Sequence, residues 1–236
     1  MTTKAMRKAA KLRAQGGRYS SRVARPAERR MPDCDAKMAN RVVVPSSLVR
    51  QSTDDPTSDG PVVYGFASRT EVGYEMFDFA GPYTETVSLD AFDVTLAASP
   101  SVEFVLNHAR AGGAPMAHTR NGTLTLSVVK DGEETGLAYE ASVDPERTDV
   151  ADMLKAIQRG DLAEASFKFR IVRGQWSPDY MEYRITEVDI HRGDVSAVNF
   201  GANPTATSGV RSTPQISSSR ARIVIPDHYT TSRHPR

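Results

Sequence analysis

This chain of 236 residues has little cysteine and no long apolar run, and these absences exclude disulfide-linked and membrane-spanning classes of protein. Cysteine occurs once, at Cys34, so no internal disulfide can form and a reducing compartment is expected. No apolar run approaches the roughly 18 residues that a bilayer span needs. The basic N-terminus is not followed by the apolar stretch of a secretory signal. These absences predict a soluble intracellular protein.

Charge is distributed unevenly, although the net charge is only +1. Residues 1–30 carry +9 and residues 205–236 carry +4, which leaves −12 on the stretch 31–204. Two solvated basic tails on an acidic domain explain this distribution. Basic arms that bind an acidic partner, or that are removed in processing, explain it as well. Charge alone does not choose between these interpretations.

Composition divides the chain into three predicted parts. Residues 1–60 are predicted to be a basic N-terminal arm and linker, in which a short helix ends at Gly16-Gly17 and the turn-rich stretch STDDPTSDGP follows. Residues 61–206 are predicted to form the folded domain. Residues 207–236 are rich in Ser, Thr and Arg and are predicted to be a disordered tail.

The middle part reads as mainly β. Alternating apolar residues predict about seven strands, among them VVYGFAS, VEFVLN and TLTLSVVK. In TDVADMLKAIQRG the apolar residues recur with helical spacing, and Thr148 and Gly160 are predicted to cap that helix. A second short helix is an option around SLDAFDV. This pattern favours an antiparallel barrel or sandwich with peripheral helices.

One serine, Ser166, lies in the stretch DLAEASFKF, where a helix end passes into an alternating strand. A buried hydroxyl needs a hydrogen-bond partner, and a nucleophilic hydroxyl needs a base. His108 lies at the exit of the apolar strand VEFVL, inside LNHAR, and is the candidate base, because a strand end can present its ring to a cleft. His118 and His191 lie in other segments and are the weaker candidates.

A third group must orient such a histidine, and three acids are candidates. Strand alternation places Glu187, Asp189 and His191 on one face, which we expect to be solvated. Asp194 comes directly before the apolar stretch VSAVNF. A carboxylate at the start of a buried strand is costly unless it is paired, and an imidazole N–H would pair it. The residues alone leave the choice of acid open.

The order of these stretches carries a resemblance to a known family. From about Val62 to Ala206 the chain resembles the prohead maturation proteases of tailed bacteriophages, serine peptidases related in fold to the herpesvirus assemblins. The resemblance rests on five stretches that occur in the same order: VYGFAS, VEFVLNHAR, GLAYEASVD, IQRGDLAEASFKF and RITEVDIHRGDVSAVNFGANPTA.

The resemblance implies a mainly β fold with peripheral helices, an antiparallel β-barrel of the assemblin and prohead-protease type. It implies Ser166 as nucleophile, His108 as base and Asp194 as the acid that orients the base. Since the assemblins use a second histidine in the third role, His191 is the alternative to Asp194. No cofactor or metal is implied.

The implied substrates are capsid-assembly proteins: the scaffold protein, a scaffold-like segment of the major capsid protein, and the protease itself. The implied location is the host cell cytoplasm, inside the procapsid. Assembly into a homo-oligomer is possible under this interpretation. Neither a membrane nor a nucleic acid is an expected partner.

Three other functions compete with this interpretation. The first is an inactive capsid-assembly or scaffold module of the same fold, because Ala109 stands where the family often has an aspartate. The second is a nucleic-acid-binding protein, although Tyr19 is the sole aromatic residue of the basic stretch 1–30. The third is a metallohydrolase that uses His108 and His118, whose spacing matches no compact metal motif.

Overall fold

The computed structural model describes residues 3–19, 21–29, 42–45, 47–50, 60–108, 113–132 and 134–199, with the two stretches between 42 and 50 as backbone alone. The helices are α1 (Lys4–Ala14), α2 (Asp93–Ala97) and α3 (Thr148–Arg159), and short 3₁₀ turns span Gly17–Tyr19 and Thr119–Asn121. The strands are β1 (Val42–Pro45), β2 (Ser47–Arg50), β3 (Val62–Arg69), β4 (Tyr74–Asp78), β5 (Gly81–Val87), β6 (Glu103–Leu106), β7 (Ala117–His118), β8 (Leu124–Val129), β9 (Gly136–Ser142), β10 (Glu164–Phe167), β11 (Arg170–Trp176), β12 (Glu182–Asp189) and β13 (Asp194–Val198).

The described strands form three sheets. Their orders are β1-β10-β13-β6-β7, β11-β12-β5-β4 and β2-β3-β9-β8. The prediction of a mainly β fold with few helices is confirmed. The expected antiparallel barrel needs correction, because the described strands do not close into one barrel and two pairs, β6 with β13 and β5 with β12, run parallel. Parallel neighbours need long crossover connections, and apolar alternation within a strand does not encode strand direction.

The predicted amphipathic helix is α3, and it buries one apolar stripe in the core that the sheets share: Val150, Met153, Leu154 and Ile157. Gly160 ends it in the left-handed region (φ 79°), as predicted. The other cap is wrong by one position, because Thr148 is the first helical residue and Arg147 precedes the helix without a side-chain cap. The second short helix, α2, begins at Asp93, near the end of the stretch predicted for it.

The N-terminal segment, residues 3–29, packs against the sheet that contains β4 and β5. Arg13 of α1 is fully buried and donates two hydrogen bonds to Asp78, from Nε (2.9 Å) and from Nη2 (2.8 Å). The Tyr19 hydroxyl donates to the same carboxylate (2.6 Å). Trp176 is fully buried and meets the Tyr19 ring edge-on, with centroids 5.3 Å apart. The segment is therefore part of the core.

A second buried ion pair fastens the end of this segment. Arg29 binds the carboxylate of Glu85, which also accepts hydrogen bonds from the hydroxyls of Tyr74 and Tyr83. Burial raises the pKa of both tyrosines well above the usual value, so their hydroxyls stay protonated and donate. Two arginines of the predicted basic arm thus form ion pairs inside the fold.

Other predictions on the chain ends are not decided by this arrangement. The boundaries of the folded domain, at residues 61 and 206, stay a prediction. The tail 207–236 and Cys34 lie outside the described residues. Within the part of the chain that is described, no helix is long and apolar enough to cross a membrane.

Candidate active site

Ser166 lies on β10, the second strand of a five-stranded sheet. The strand is flanked by β1, where Val43 pairs with Ser166, and by β13, where Ser196 pairs with it. Ser166 is fully buried, and its Oγ has no hydrogen-bond partner among the described residues. A buried hydroxyl without a partner costs free energy, so its retention in a strand needs an explanation other than stability.

Asp194 and His108 form a polar contact on the face of the sheet that holds this serine. Asp194 begins β13 on the face that also carries Ser196, because residues two apart on a strand point the same way. Its Oδ1 is hydrogen-bonded to Nδ1 of His108, and both side chains are almost wholly shielded from solvent. A carboxylate only accepts, so Nδ1 carries a proton and, in the neutral ring, Nε2 has the lone pair.

His108 reaches Asp194 because the chain turns back over the sheet after β6. The parallel register pairs Asp194 with Glu103, at the far end of β6 from His108. Asn107 and His108 both adopt left-handed φ values, 51° and 54°, which reverse the chain direction. The Asn107 amide donates to the Ala197 carbonyl (2.8 Å), so the turn is fastened to β13.

Two buried serines, Ser166 on β10 and Ser196 on β13, lie opposite each other. They differ in their hydrogen bonds. Ser196 Oγ accepts from the main-chain amide of His108 (2.8 Å) and donates to the Val105 carbonyl (3.0 Å). Ser166 Oγ and His108 Nε2 are both buried without a partner among the described residues. One of these atoms carries a proton and the other can accept it. The two atoms are not hydrogen-bonded to each other in this structure, and the bond between a nucleophile and its base often tightens only in the reacting complex.

The remaining sequence candidates bind elsewhere. Exposed His191 accepts at Nδ1 from the Ser101 amide (3.2 Å), so it is not brought to His108. Glu187 pairs with Arg173 and Asp189 with Arg170 across the neighbouring strand. The structure therefore joins His108 to Asp194 and places Ser166 opposite Ser196, the residue that bonds the His108 amide. The alternatives His191, Glu187 and Asp189 have other partners.

His118 has a structural position. It pairs with Glu103 across β6 and β7, and its Nδ1 accepts from the Arg120 amide (2.9 Å). That bond leaves the neutral ring's proton on Nε2, which faces Ser101 Oγ (3.5 Å) and so cannot take a proton from it. Burial, with the nearby Arg120 charge, lowers the His118 pKa. The structure does not join His118 to His108, whose Nδ1 is held by Asp194.

A groove of about 670 Å³ opens at the end of the sheet where β6 and β13 finish. Its apolar floor includes Leu106, Met153 and Leu162, and Asn199 lines one side. Three aspartates, each with a basic partner close by in sequence, also line it: Asp149, Asp152 and Asp161. Leu106 precedes His108 by two residues, so the groove lies near His108, although Ser166, His108 and Asp194 do not line it.

Over residues 46–218, well over half of its length, the sequence matches the caudovirus prohead serine protease family. The chain belongs to this family. This prohead protease is also similar to the solved structure of the bacteriophage T4 capsid assembly protease gp21. The two share 12% identity with a TM-score of 0.40, over 68% of this chain and 99% of that chain. No curated protein matches the chain.

Sequence reasoning missed two residues that shape this site. Ser196 lies in VSAVNF, two positions after Asp194, and the argument from a buried hydroxyl that selected Ser166 applies to it equally. Asn107 was treated as part of a motif, although its side-chain Oδ1 accepts from the Asn199 amide (3.0 Å). The signal was present for Ser196, since strand alternation places it on the face of Asp194.

Proposed function

We propose that Ser166, His108 and Asp194 are the nucleophile, the base and the orienting acid of this serine protease. The observation that carries the proposal is the bond between His108 Nδ1 and Asp194, formed over the sheet face that holds Ser166. It leaves Nε2 as the proton acceptor, and it leaves the buried Ser166 hydroxyl as the donor that lacks a partner among the described residues. The family supplies the class of reaction.

The proposed reaction proceeds by acyl transfer. His108 Nε2 takes the proton of Ser166 as Oγ attacks the peptide carbonyl carbon, which gives a tetrahedral intermediate. The imidazolium, stabilised by Asp194, then gives that proton to the leaving amine as the C–N bond breaks. Water attacks the resulting ester by the same route and regenerates the hydroxyl. Asp194 keeps Nδ1 protonated throughout, so that only Nε2 exchanges protons.

We further propose that the substrates are capsid-assembly proteins: the scaffold protein or a scaffold-like segment of the major capsid protein, and the protease itself. The protease would work inside the procapsid, in the host cytoplasm. Enclosure raises the local substrate concentration, so strong intrinsic affinity is not required. The groove near His108 supports this proposal, because its apolar floor and volume suit a substrate side chain next to the scissile bond.

The test is co-expression of the chain with its capsid and scaffold genes, followed by mass spectrometry of the products. Ser166→Ala and His108→Ala should abolish cleavage, because removing a nucleophile or base costs on the order of 10⁴ to 10⁶ in rate. His118→Ala is the matched control and should retain most cleavage. Normal products from Ser166→Ala, or an essential His118 with a dispensable His108, would refute the assignment.

A further inference from the structure

The turn that carries His108 has an unfavourable backbone conformation. Asn107 and His108 are consecutive residues with left-handed φ, a region that residues other than glycine rarely occupy in succession. An extended continuation of β6 would carry the imidazole away from Asp194, which lies beside the start of that strand. The left-handed pair is therefore required for the His108–Asp194 contact, and other bonds must hold it in place.

The Ser196 hydroxyl makes the bond that holds His108 itself. Ser196 is fully buried at the centre of β13, directly opposite Ser166. Its Oγ accepts from the His108 amide (2.8 Å) and donates to the Val105 carbonyl (3.0 Å). The hydroxyl thus ties the turn residue His108 to the carbonyl of Val105 in β6, and the Ala197 carbonyl (3.2 Å) is a second acceptor for its single proton.

We propose that Ser196 is a positioning residue for the protease reaction, and this rests on the proposed role of His108 as base. Asp194 fixes one ring nitrogen, while Ser196 fixes the main chain from which the ring extends. Two anchors define where Nε2 lies relative to Ser166, whereas the Asp194 bond alone leaves the ring free to shift with its backbone. A displacement of about 1 Å at such a site can lower a rate about 100-fold.

The test compares Ser196→Ala with Ser68→Ala in the full chain. Ser68 is also a fully buried strand serine, and its hydroxyl donates to the Arg69 carbonyl (3.3 Å), away from the site. The probe is a fluorophosphonate, which the Ser166 Oγ attacks with loss of fluoride. Its saturation kinetics separate the limiting rate of modification from the affinity for the reagent.

We expect Ser196→Ala to lower the limiting rate of modification about 10- to 100-fold with the reagent affinity unchanged. Ser68→Ala should keep the wild-type rate, and Ser196→Thr, which retains the hydroxyl, should recover most of the loss. If Ser196 had only a structural role, both Ser196→Ala and Ser68→Ala would lower the melting temperature, and Ser196→Ala would show no selective loss of the modification rate. A wild-type limiting rate in folded Ser196→Ala overturns the proposal.

A measurement on the unmodified protein covers the case in which Ser196→Ala does not fold. The His108 amide should exchange with deuterium slowly, because it donates to a buried oxygen. Exchange of that amide at the rate of an unstructured peptide overturns the proposal. Failure of the proposed function looks different, since in that case Ser166→Ala itself would be modified at the wild-type rate.

Discussion

Replacing Asp194 by asparagine is the change that most directly tests the orientation of the base. The substitution keeps the size of a fully buried side chain but replaces an acceptor-only carboxylate with an amide. The amide NH₂ can donate to Nδ1 of His108, which then becomes the acceptor, and the ring proton moves to Nε2. A protonated Nε2 cannot take the Ser166 proton, and the imidazolium also loses its counter-charge.

The expected loss is therefore large in rate and small in stability. In a serine protease triad the same exchange costs about 10⁴ in rate, close to 5.5 kcal/mol in activation free energy at about 1.36 kcal/mol per tenfold. The geometry supports the full effect, because the Asp194 and His108 side chains are only 0% and 7% exposed and bulk water cannot easily replace the lost partner. Since the two side chains are isosteric, the fold should persist.

Fluorophosphonate modification of the purified chain measures the rate, and thermal unfolding measures the stability. Asp189→Asn is the matched control, because this aspartate pairs with Arg170 on a partly exposed strand. It should react like the wild type. His191→Ala tests the alternative third member. If His191→Ala is crippled while Asp194→Asn reacts normally, the group is Ser166, His108 and His191, and the reasoning from the Asp194 contact fails.

Two further predictions concern the fold and the groove. Arg13→Met should lower the free energy of unfolding by about 3–5 kcal/mol, because it leaves the buried Asp78 without its cation. Each kcal/mol lowers Tm by about 2–4 °C in a chain of this size, so calorimetry detects the loss readily. Arg7→Met, an exposed arginine of the same helix, is the control, and equal losses in the two variants would contradict a buried pair. Ala156→Phe should narrow the groove and raise KM for a capsid or scaffold peptide while the fluorophosphonate still modifies Ser166 at the usual limiting rate. An unchanged KM would show that substrate does not bind there.

The sequence could predict the strands that hold Ser166 and Asp194, since both residues interrupt apolar alternation at positions that are buried. It could not predict how His108 reaches them. That contact depends on two left-handed residues and on parallel pairing of β6 with β13, strands far apart in the chain. Local periodicity predicts neither property, because the spacing of apolar residues specifies which face of a strand is buried and not which strand pairs with it.

The N-terminal segment illustrates a different limit. Counting charges treats every arginine as solvated, and ten basic residues among the first thirty therefore look like an arm. Arg13 and Arg29 instead pair with Asp78 and Glu85, acids supplied by distant strands. A buried pair is invisible until both partners are located in space. The buried apolar residues of the segment, among them Met6, Ala9 and Tyr19, are small or few and do not stand out against the charge pattern.

Those two ion pairs also bear on the lifetime of the self-processed form that the proposed function implies. A cut between residues 30 and 41 would sever the N-terminal segment from the rest of the chain without breaking either pair. Departure of the fragment would leave two buried carboxylates facing no cation, so the cleaved product should behave as a tight two-chain complex that dissociates slowly. The family match begins only at residue 46. A recombinant chain trimmed to that match would lack both arginines, and it should express as a less stable protein than the nicked form of the complete chain.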